Sequence, residues 1–348
     1  MSQLRLDPLT GRWTVISTQR AVRPSAFLSR VQQIEGEPSR PCPFCPGHES
    51  ADLETLDSLS LPDHGGNGSH HQGTSEENSK APSEWAVKVV NNRYPAFDGH
   101  DPMVVTHLGP VFTQASASGM HEVLLLSPDH DVSWADLTPA HSALVMQALR
   151  DRMLDHSKVP GLRHSQALVN YGREAGASIV HPHGQLLSIP FVPGEMANEL
   201  AGFNRFQGNC LLCAVIEAEE SVKHRVVSLD DEVAVICPFW SGNPYEMLVI
   251  PRSHEAHLYQ AYPSDLDAVG RAIGGALASL RERVGDIPYN VFFHSAPFRV
   301  GSDYHWHAHI LPKATTRGGF ELGSGVLINV VDPEDAAAEL RHLTSVAS

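Results

Sequence analysis

His121-Glu-Val-Leu-Leu-Leu-Ser-Pro-Asp-His130 and Tyr245-Glu-Met-Leu-Val-Ile-Pro-Arg-Ser-His254 are two versions of one pattern. In each, a glutamate (Glu122, Glu246) precedes the closing histidine by eight residues. The apolar run between them reads as a strand, and the proline-containing turn after it presents the histidine. A second histidine lies 51 residues further on in both cases, at His181 and His305. Each opens a His-x-His run, His181-Pro-His-Gly-Gln185 and His305-Trp-His-Ala-His309. A Cys-x-x-Cys pair precedes each of these segments, at Cys42/Cys45 and Cys210/Cys213.

A helix is expected inside each interval. In the second, Ser264 is the expected N-cap of a face formed by Leu266, Val269, Ile273, Leu277, Leu280 and Val284, in steps of three and four. In the first, Thr138 caps, Pro139 takes the first helical position, and Leu144, Val145, Ala148, Leu149 and Met153 follow. Short strands are expected near 166–170 and 289–293. The Cys-to-His distance is 85 residues in one half and 41 in the other, and a polar loop from about Leu56 to Ser83 is expected to take up most of the excess. The reading is an α+β chain of two tandem similar halves, 1–195 and 196–348, forming a largely antiparallel sheet flanked by helices.

Composition narrows the function. The 348 residues carry a formal charge of −15, which argues against a nucleic-acid binder that must neutralise phosphates. A local cluster of Arg20, Arg23, Arg173, Lys313 or Arg317 would have to meet an anionic substrate. No apolar run approaches the roughly 20 residues of a membrane span. Residues 1–17 lack the apolar core of a signal peptide, so a cytoplasmic location is expected. Several of the 21 histidines fall in a low-complexity stretch at 63–73, read as a solvated loop.

Two thiols and two imidazoles per half make the ligand set of a closed tetrahedral zinc site. The expected sets are Cys42, Cys45, His130 and His181, then Cys210, Cys213, His254 and His305: two structural zinc ions per chain. A redox Cys-x-x-Cys is the alternative, and the prolines of Cys42-Pro-Phe-Cys-Pro resist the helix it should open. Cys237 reads as a buried core residue. Residues at i, i+2 and i+4 of a strand share a face, so His181, His183 and Gln185 are expected to point together. With His181 committed to metal, His183 is free as a nucleophile toward phosphorus, and the Gln185 amide can donate to the developing phosphoryl charge. A double-zinc scaffold without catalysis would leave both residues idle.

His181-Pro-His-Gly-Gln185 resembles the active-site signature of the galactose-1-phosphate uridylyltransferase family, the transferase branch of the histidine-triad superfamily, and the resemblance covers nearly the whole chain. Asp7-Pro-Leu-Thr-Gly-Arg-Trp-Thr-Val-Ile-Ser17 and Gln19-Arg-Ala-Val-Arg-Pro24 are similar to the family's opening. Asn91-Asn-Arg-Tyr-Pro-Ala-Phe97 resembles its nucleotide-contacting segment. Asn170 and Gly176-Ala-Ser178 stand where the family binds phosphates, and Gly319-Phe-Glu-Leu322 resembles a segment whose glutamate reaches the sugar across a dimer interface. The resemblance implies a histidine-triad-like fold, a homodimer, nucleotide-sugar and sugar-1-phosphate substrates, and a uridylyl-His183 intermediate. Arg20, Arg23, Asn92, Arg93, Asn170, Gly176, Ser178, Phe320 and Glu321 would then bind substrate. Two departures stand out. Arg93 occupies a place where many relatives carry aspartate, and the second Cys-x-x-Cys is closer to a branch that includes ADP-glucose phosphorylases. Some relatives instead hold a second metal through glutamate and histidines, for which Glu199, His294, His307 and His309 compete with the cysteine set. Gln185, in place of a last triad histidine, goes with transfer rather than hydrolysis in that superfamily.

Overall fold

Strands rich in Val, Leu and Ile with one face buried must pair edge to edge and cover that face with helices. The computed structural model describes residues 2–19, 42–48, 54–61, 85–99, 102–301 and 303–344, and in them this is what forms. The N-terminal elements are β1 (Gln3–Leu6), β2 (Trp13–Ile16), β3 (Thr55–Leu59), β4 (Val87–Asn91), β5 (Val105–His107), β6 (Thr113–Ala115) and β7 (Met120–Leu125). Then come α1 (Pro139–Ser157), β8 (His164–Tyr171), β9 (His183–Ile189), α2 (Gly194–Arg205), α3 (Leu211–Val222), β10 (Val226–Leu229), β11 (Val233–Ile236) and β12 (Met247–Pro251). The chain closes with α4 (Pro263–Val284), β13 (Tyr289–His294), β14 (His307–Pro312), α5 (Gly319–Ser324), β15 (Leu327–Asn329) and α6 (Pro333–Thr344). The division expected after residue 195 falls inside α2.

Ten strands make one antiparallel sheet in the order β10-β11-β12-β14-β13-β8-β9-β7-β4-β3. That order is a palindrome of the repeat. The β12, β14 and β13 of one side answer to β7, β9 and β8 of the other, and the two sides meet where β13 pairs with β8. Leu168 sits opposite Phe292 there, and the two stand at the same offset as His130 and His254. A pseudo-dyad therefore passes between them. A smaller sheet joins β1, β2 and β15, and β5 with β6 forms a separate hairpin.

The helices α1 and α4 pack together on one sheet face, where Val145, Leu149, Met153, Leu266, Ile273 and Leu277 are buried against Val89, Leu124, Leu186, Val249 and Ile310. Their crossing is close at Gly270, where a Cβ would come within 2.7 Å of the Ser142 carbonyl oxygen. Thr138 caps α1 as expected, its Oγ1 accepting from His141 N at 3.2 Å with Pro139 at N1. The expected cap of α4 is corrected. Tyr262 is the N-cap and Pro263 takes N1, because proline has no N–H to lose there, which puts Ser264 at N2, two positions inward. Residues 56–59, at the start of the expected loop, belong to the edge strand β3, in which Thr55 and Ser58 are exposed while one edge bonds to β4. The stretch 63–73 lies outside the described residues.

Candidate active site and metal centres

The sheet face opposite α1 and α4 carries the chemistry. Strand alternation begins at His183, so His183 and Gln185 share this face, while His181 lies before the strand and turns to the thiols. His181 and His183 nevertheless both lie against the Phe44 ring, at 5.9 and 6.2 Å between ring centroids, and both line one cavity. His183 Nδ1 lies 2.8 Å from the His181 carbonyl oxygen, which only accepts, so the proton is on Nδ1 and the lone pair on Nε2. Burial favours the neutral imidazole, against that carbonyl bond.

Around His183 two cavities meet. One, of about 460 Å³, is lined by Phe44, Asn92, Arg93, Tyr94, His121, Ser178, His183 and Gln185. The other, of about 440 Å³, is lined by His130, Asp131, Trp134, Asn170, Tyr171, His181, His183 and Asp286. His183 and Ile179 border both. Asn170 Oδ1 accepts from Asn290 Nδ2 at 2.7 Å, and Gly176 lies next to it in a left-handed turn with φ of 93°. Phe320 and Glu321 are on α5, with Phe320 56% exposed, and neither lines either cavity. Arg173, Lys313 and Arg317 are also absent from both linings. Arg20 and Arg23 lie outside the described residues. His121 and Phe44 are the residues that sequence reading missed. His121 touches Gln185 across strands, a proximity that no spacing along the chain announces.

Cys42, Cys45, His130 and His181 present ligand atoms within 4.8 Å of one another, with Cys45 Sγ 3.3 Å from His130 Nδ1 and 3.7 Å from His181 Nδ1. Zn–S of about 2.3 Å and Zn–N of about 2.0 Å in a tetrahedron demand edges of about 3.6 Å, so the donors fit. His181 Nε2 donates to the Ser127 carbonyl at 2.9 Å, which leaves Nδ1 bare toward the thiols. Burial pushes His181 down to about 4, keeping the imidazole in the neutral form a ligand needs. The second half repeats every part. Cys210, Cys213, His254 and His305 converge within 4.8 Å, and His305 Nε2 donates to the Pro251 carbonyl at 2.9 Å. All five cysteines are free thiols, and Cys237 is buried.

The expected competition for a second site is corrected, because Glu199, His294, His307 and His309 form a separate third cluster. Glu199 binds His294 Nδ1 at 2.8 Å through one oxygen and accepts from Tyr304 Oη at 2.6 Å through the other. His307 Nε2 and His309 Nε2 face each other at 3.1 Å. Their strand β14 aims them at α2, whereas His305, ahead of that strand, reaches the cysteines at the start of α3. No helix among the described residues is long and apolar enough to cross a membrane.

Comparison with known proteins places these features. Residues 71–193 match the family model for the galactose-1-phosphate uridyl transferase N-terminal domain, and residues 197–348 match its C-terminal domain. The chain is 30% identical to an ADP-glucose phosphorylase of Arabidopsis thaliana, over 98% of this chain and 93% of that protein. It is 25% identical to a galactose-1-phosphate uridylyltransferase of Thermotoga maritima, over 98% of each. A crystal structure of an Arabidopsis thaliana ADP-glucose phosphorylase with bound ADP-glucose superposes with a TM-score of 0.78 at 27% identity, covering 98% of this chain and 99% of that one. A uridylyltransferase structure superposes at 0.73 with 24% identity, covering 100% and 99%, a likeness of fold.

Proposed function

The chain belongs to the galactose-1-phosphate uridylyltransferase family, and from that premise we propose that it transfers a uridylyl group from UDP-glucose to galactose-1-phosphate through His183. The observation that carries this reading is the tautomer of His183 at the junction of two cavities. Its Nε2 lone pair attacks the α-phosphorus, an N–P bond forms, and the P–O bond to the β-phosphate breaks with its electron pair on departing glucose-1-phosphate. The Nδ1–H bonded to the His181 carbonyl shares the positive charge that appears on the ring. A phosphate oxygen of galactose-1-phosphate then attacks the same phosphorus, the N–P bond breaks, and UDP-galactose leaves with the lone pair restored to His183.

Gln185 donates to the transferred phosphoryl group. Asn92, Arg93 and Phe44 border the nucleoside end, and Asn170 and Ser178 meet phosphate, with Gly176 in the turn beside Asn170. Zinc held by Cys42, Cys45, His130 and His181, and by Cys210, Cys213, His254 and His305, would supply structural cross-links. The nitrogen and oxygen donors around Glu199 suit a further divalent metal. The likeness of Gly319-Phe-Glu-Leu322 to the family's cross-interface segment supports a homodimer in which the partner's α5 completes the sugar site. Free thiols favour the cytoplasm.

A second reading, adenylyl transfer from ADP-glucose to inorganic phosphate through the same histidine, is favoured by the 30% identity to a phosphorylase and by the second cysteine pair. Intact-protein mass spectrometry after brief incubation with UDP-glucose, and separately ADP-glucose, distinguishes them. A uridylyl adduct absent from His183→Ala and discharged by galactose-1-phosphate supports the first reading. An adenylyl adduct alone, discharged by phosphate, replaces it with the second, and no adduct with either nucleotide sugar sinks both.

A further inference from the structure

A glutamine amide has a donor end and an acceptor end, and which end faces a phosphoryl group decides whether it stabilises or repels the charge. In this protein that choice is made by a neighbour. Val123 sits opposite Gln185 and His121 opposite Leu187 in the pairing of β7 with β9, so His121 lies diagonally across from Gln185 on the cavity face. The Ala96 backbone N–H donates to His121 Nδ1 at 3.0 Å. A backbone amide has no lone pair to offer, so Nδ1 is bare and the ring proton is on Nε2. His121 Nε2 lies 2.9 Å from Gln185 Oε1, which accepts the hydrogen bond from that N–H. Asn92 Nδ2 also lies 3.0 Å from Nε2, but its Oδ1 already accepts from Tyr94 N at 2.8 Å. Two donors meet there, so the Asn92 contact supplies packing and only Gln185 accepts.

We propose that His121 is a positioning residue that holds the Gln185 amide with its carbonyl turned away and its NH2 toward the phosphoryl group passed at His183; the proposal rests on the nucleotidyl-transfer reading above. The other half lacks the device. Tyr245 stands at the repeat position of His121, and its hydroxyl donates to Glu339 at 2.6 Å instead. The chain from the Ala96 amide through His121 to Gln185 therefore exists only beside the histidine with a free lone pair.

The test is a coupling measurement on the full-length, metal-loaded protein. Single-turnover formation of the nucleotidyl-His183 adduct is timed in wild type, His121→Phe, His121→Gln, Gln185→Ala and the His121→Phe/Gln185→Ala double variant. Phe removes the N–H and should slow adduct formation about 10- to 100-fold, less than the roughly 10²–10³-fold of deleting a donor outright. Gln restores a donor at the Nε2 position and should recover most of that loss. In the Gln185→Ala background the Phe substitution should add less than about twofold, since nothing remains to position. A full multiplicative loss in that background, or a wild-type rate in His121→Phe, overturns the proposal while leaving nucleotidyl transfer intact. Absence of any adduct in wild type sinks the transfer reading and the proposal with it. Two-bond proton–nitrogen spectra of histidine-labelled protein, assigned with His121→Gln, give a readout independent of turnover. A proton on Nε2 is expected, and one on Nδ1 overturns the proposal.

Discussion

A histidine attacks phosphorus only if the nitrogen facing it has no proton, and two carbonyl bonds decide that point in opposite senses in this site. His181 spends its Nε2 proton on Ser127 and turns a bare Nδ1 to the thiols, while His183 spends its Nδ1 proton on His181 and keeps Nε2 bare. One dipeptide step thus separates a ligand from a nucleophile. His183→Ala should abolish adduct formation and lower turnover by at least about 10⁴-fold, as removal of a nucleophile does elsewhere, with metal content unchanged on elemental analysis. Cys45→Ser should do the reverse in part. It removes the thiol that touches both His130 and His181, so one equivalent of zinc should be lost and unfolding should come at lower urea. Zinc retained in full by Cys45→Ser would remove the basis for a metal at that cluster.

Elements are held by what their ends and buried faces can satisfy, and the two long helices differ there. Thr138→Ala removes the side-chain bond at the start of α1 and should cost about 1 kcal/mol in urea unfolding, whereas Ser264→Ala, inside the first turn of α4, should cost under about 0.5 kcal/mol. Equal losses would return Ser264 to the cap. Between α1 and β7, Glu122 is 1% exposed and accepts from Arg152 Nη2 at 2.6 Å, Arg152 Nε at 2.9 Å and His156 Nε2 at 2.8 Å. Burial would raise its carboxyl, but the bonds from Arg152 and His156 outweigh it and hold it below the ordinary 4.5. Breaking a buried pair costs about 3–5 kcal/mol, and since Asp155 still holds Arg152, Glu122→Gln should cost about 2–4 kcal/mol at pH 7. A depressed carboxyl contributes above its unfolded value and loses that contribution as pH falls through its folded one. The gap between wild type and variant should therefore narrow below pH 4.5, and a gap constant with pH would show that the charge is not what matters. The repeat strands and both helices were legible in the sequence because each buries one face, which writes its period into Leu, Val and Ile positions. Strand β3 was not, because an edge strand needs only one partner and Thr55, Asp57 and Ser58 leave no alternation to read.

At the scale of the whole molecule, a palindromic sheet has been given two different centres. The metal ligands and His183 were legible as residue types at repeated spacings, but the spacing alone made His305, His307 and His309 look like rivals for one ion. Their separation into two clusters depends on where β14 begins and on α2 bringing Glu199 in from a distant part of the chain. The pseudo-dyad carries His183 onto His307 and Gln185 onto His309, and His307 Nδ1 makes the same 2.8 Å contact with His305 O. The difference is in what faces Nε2: open cavity for His183, and His309 beside a buried carboxylate for His307. Burial pushes His307 down to about 4 and lowers His309 as well, while for Glu199 burial is outweighed by the adjoining His294, which holds the carboxyl low, so these side chains converge as a ligand set and not as a reactive centre. His307→Ala should therefore lower the metal content by one equivalent and leave the adduct per folded chain close to that of wild type, on His183. Adduct recovered on a His307-containing peptide of wild type, or lost from folded His307→Ala with all metal retained, would mean that both halves of the dyad carry transfer chemistry.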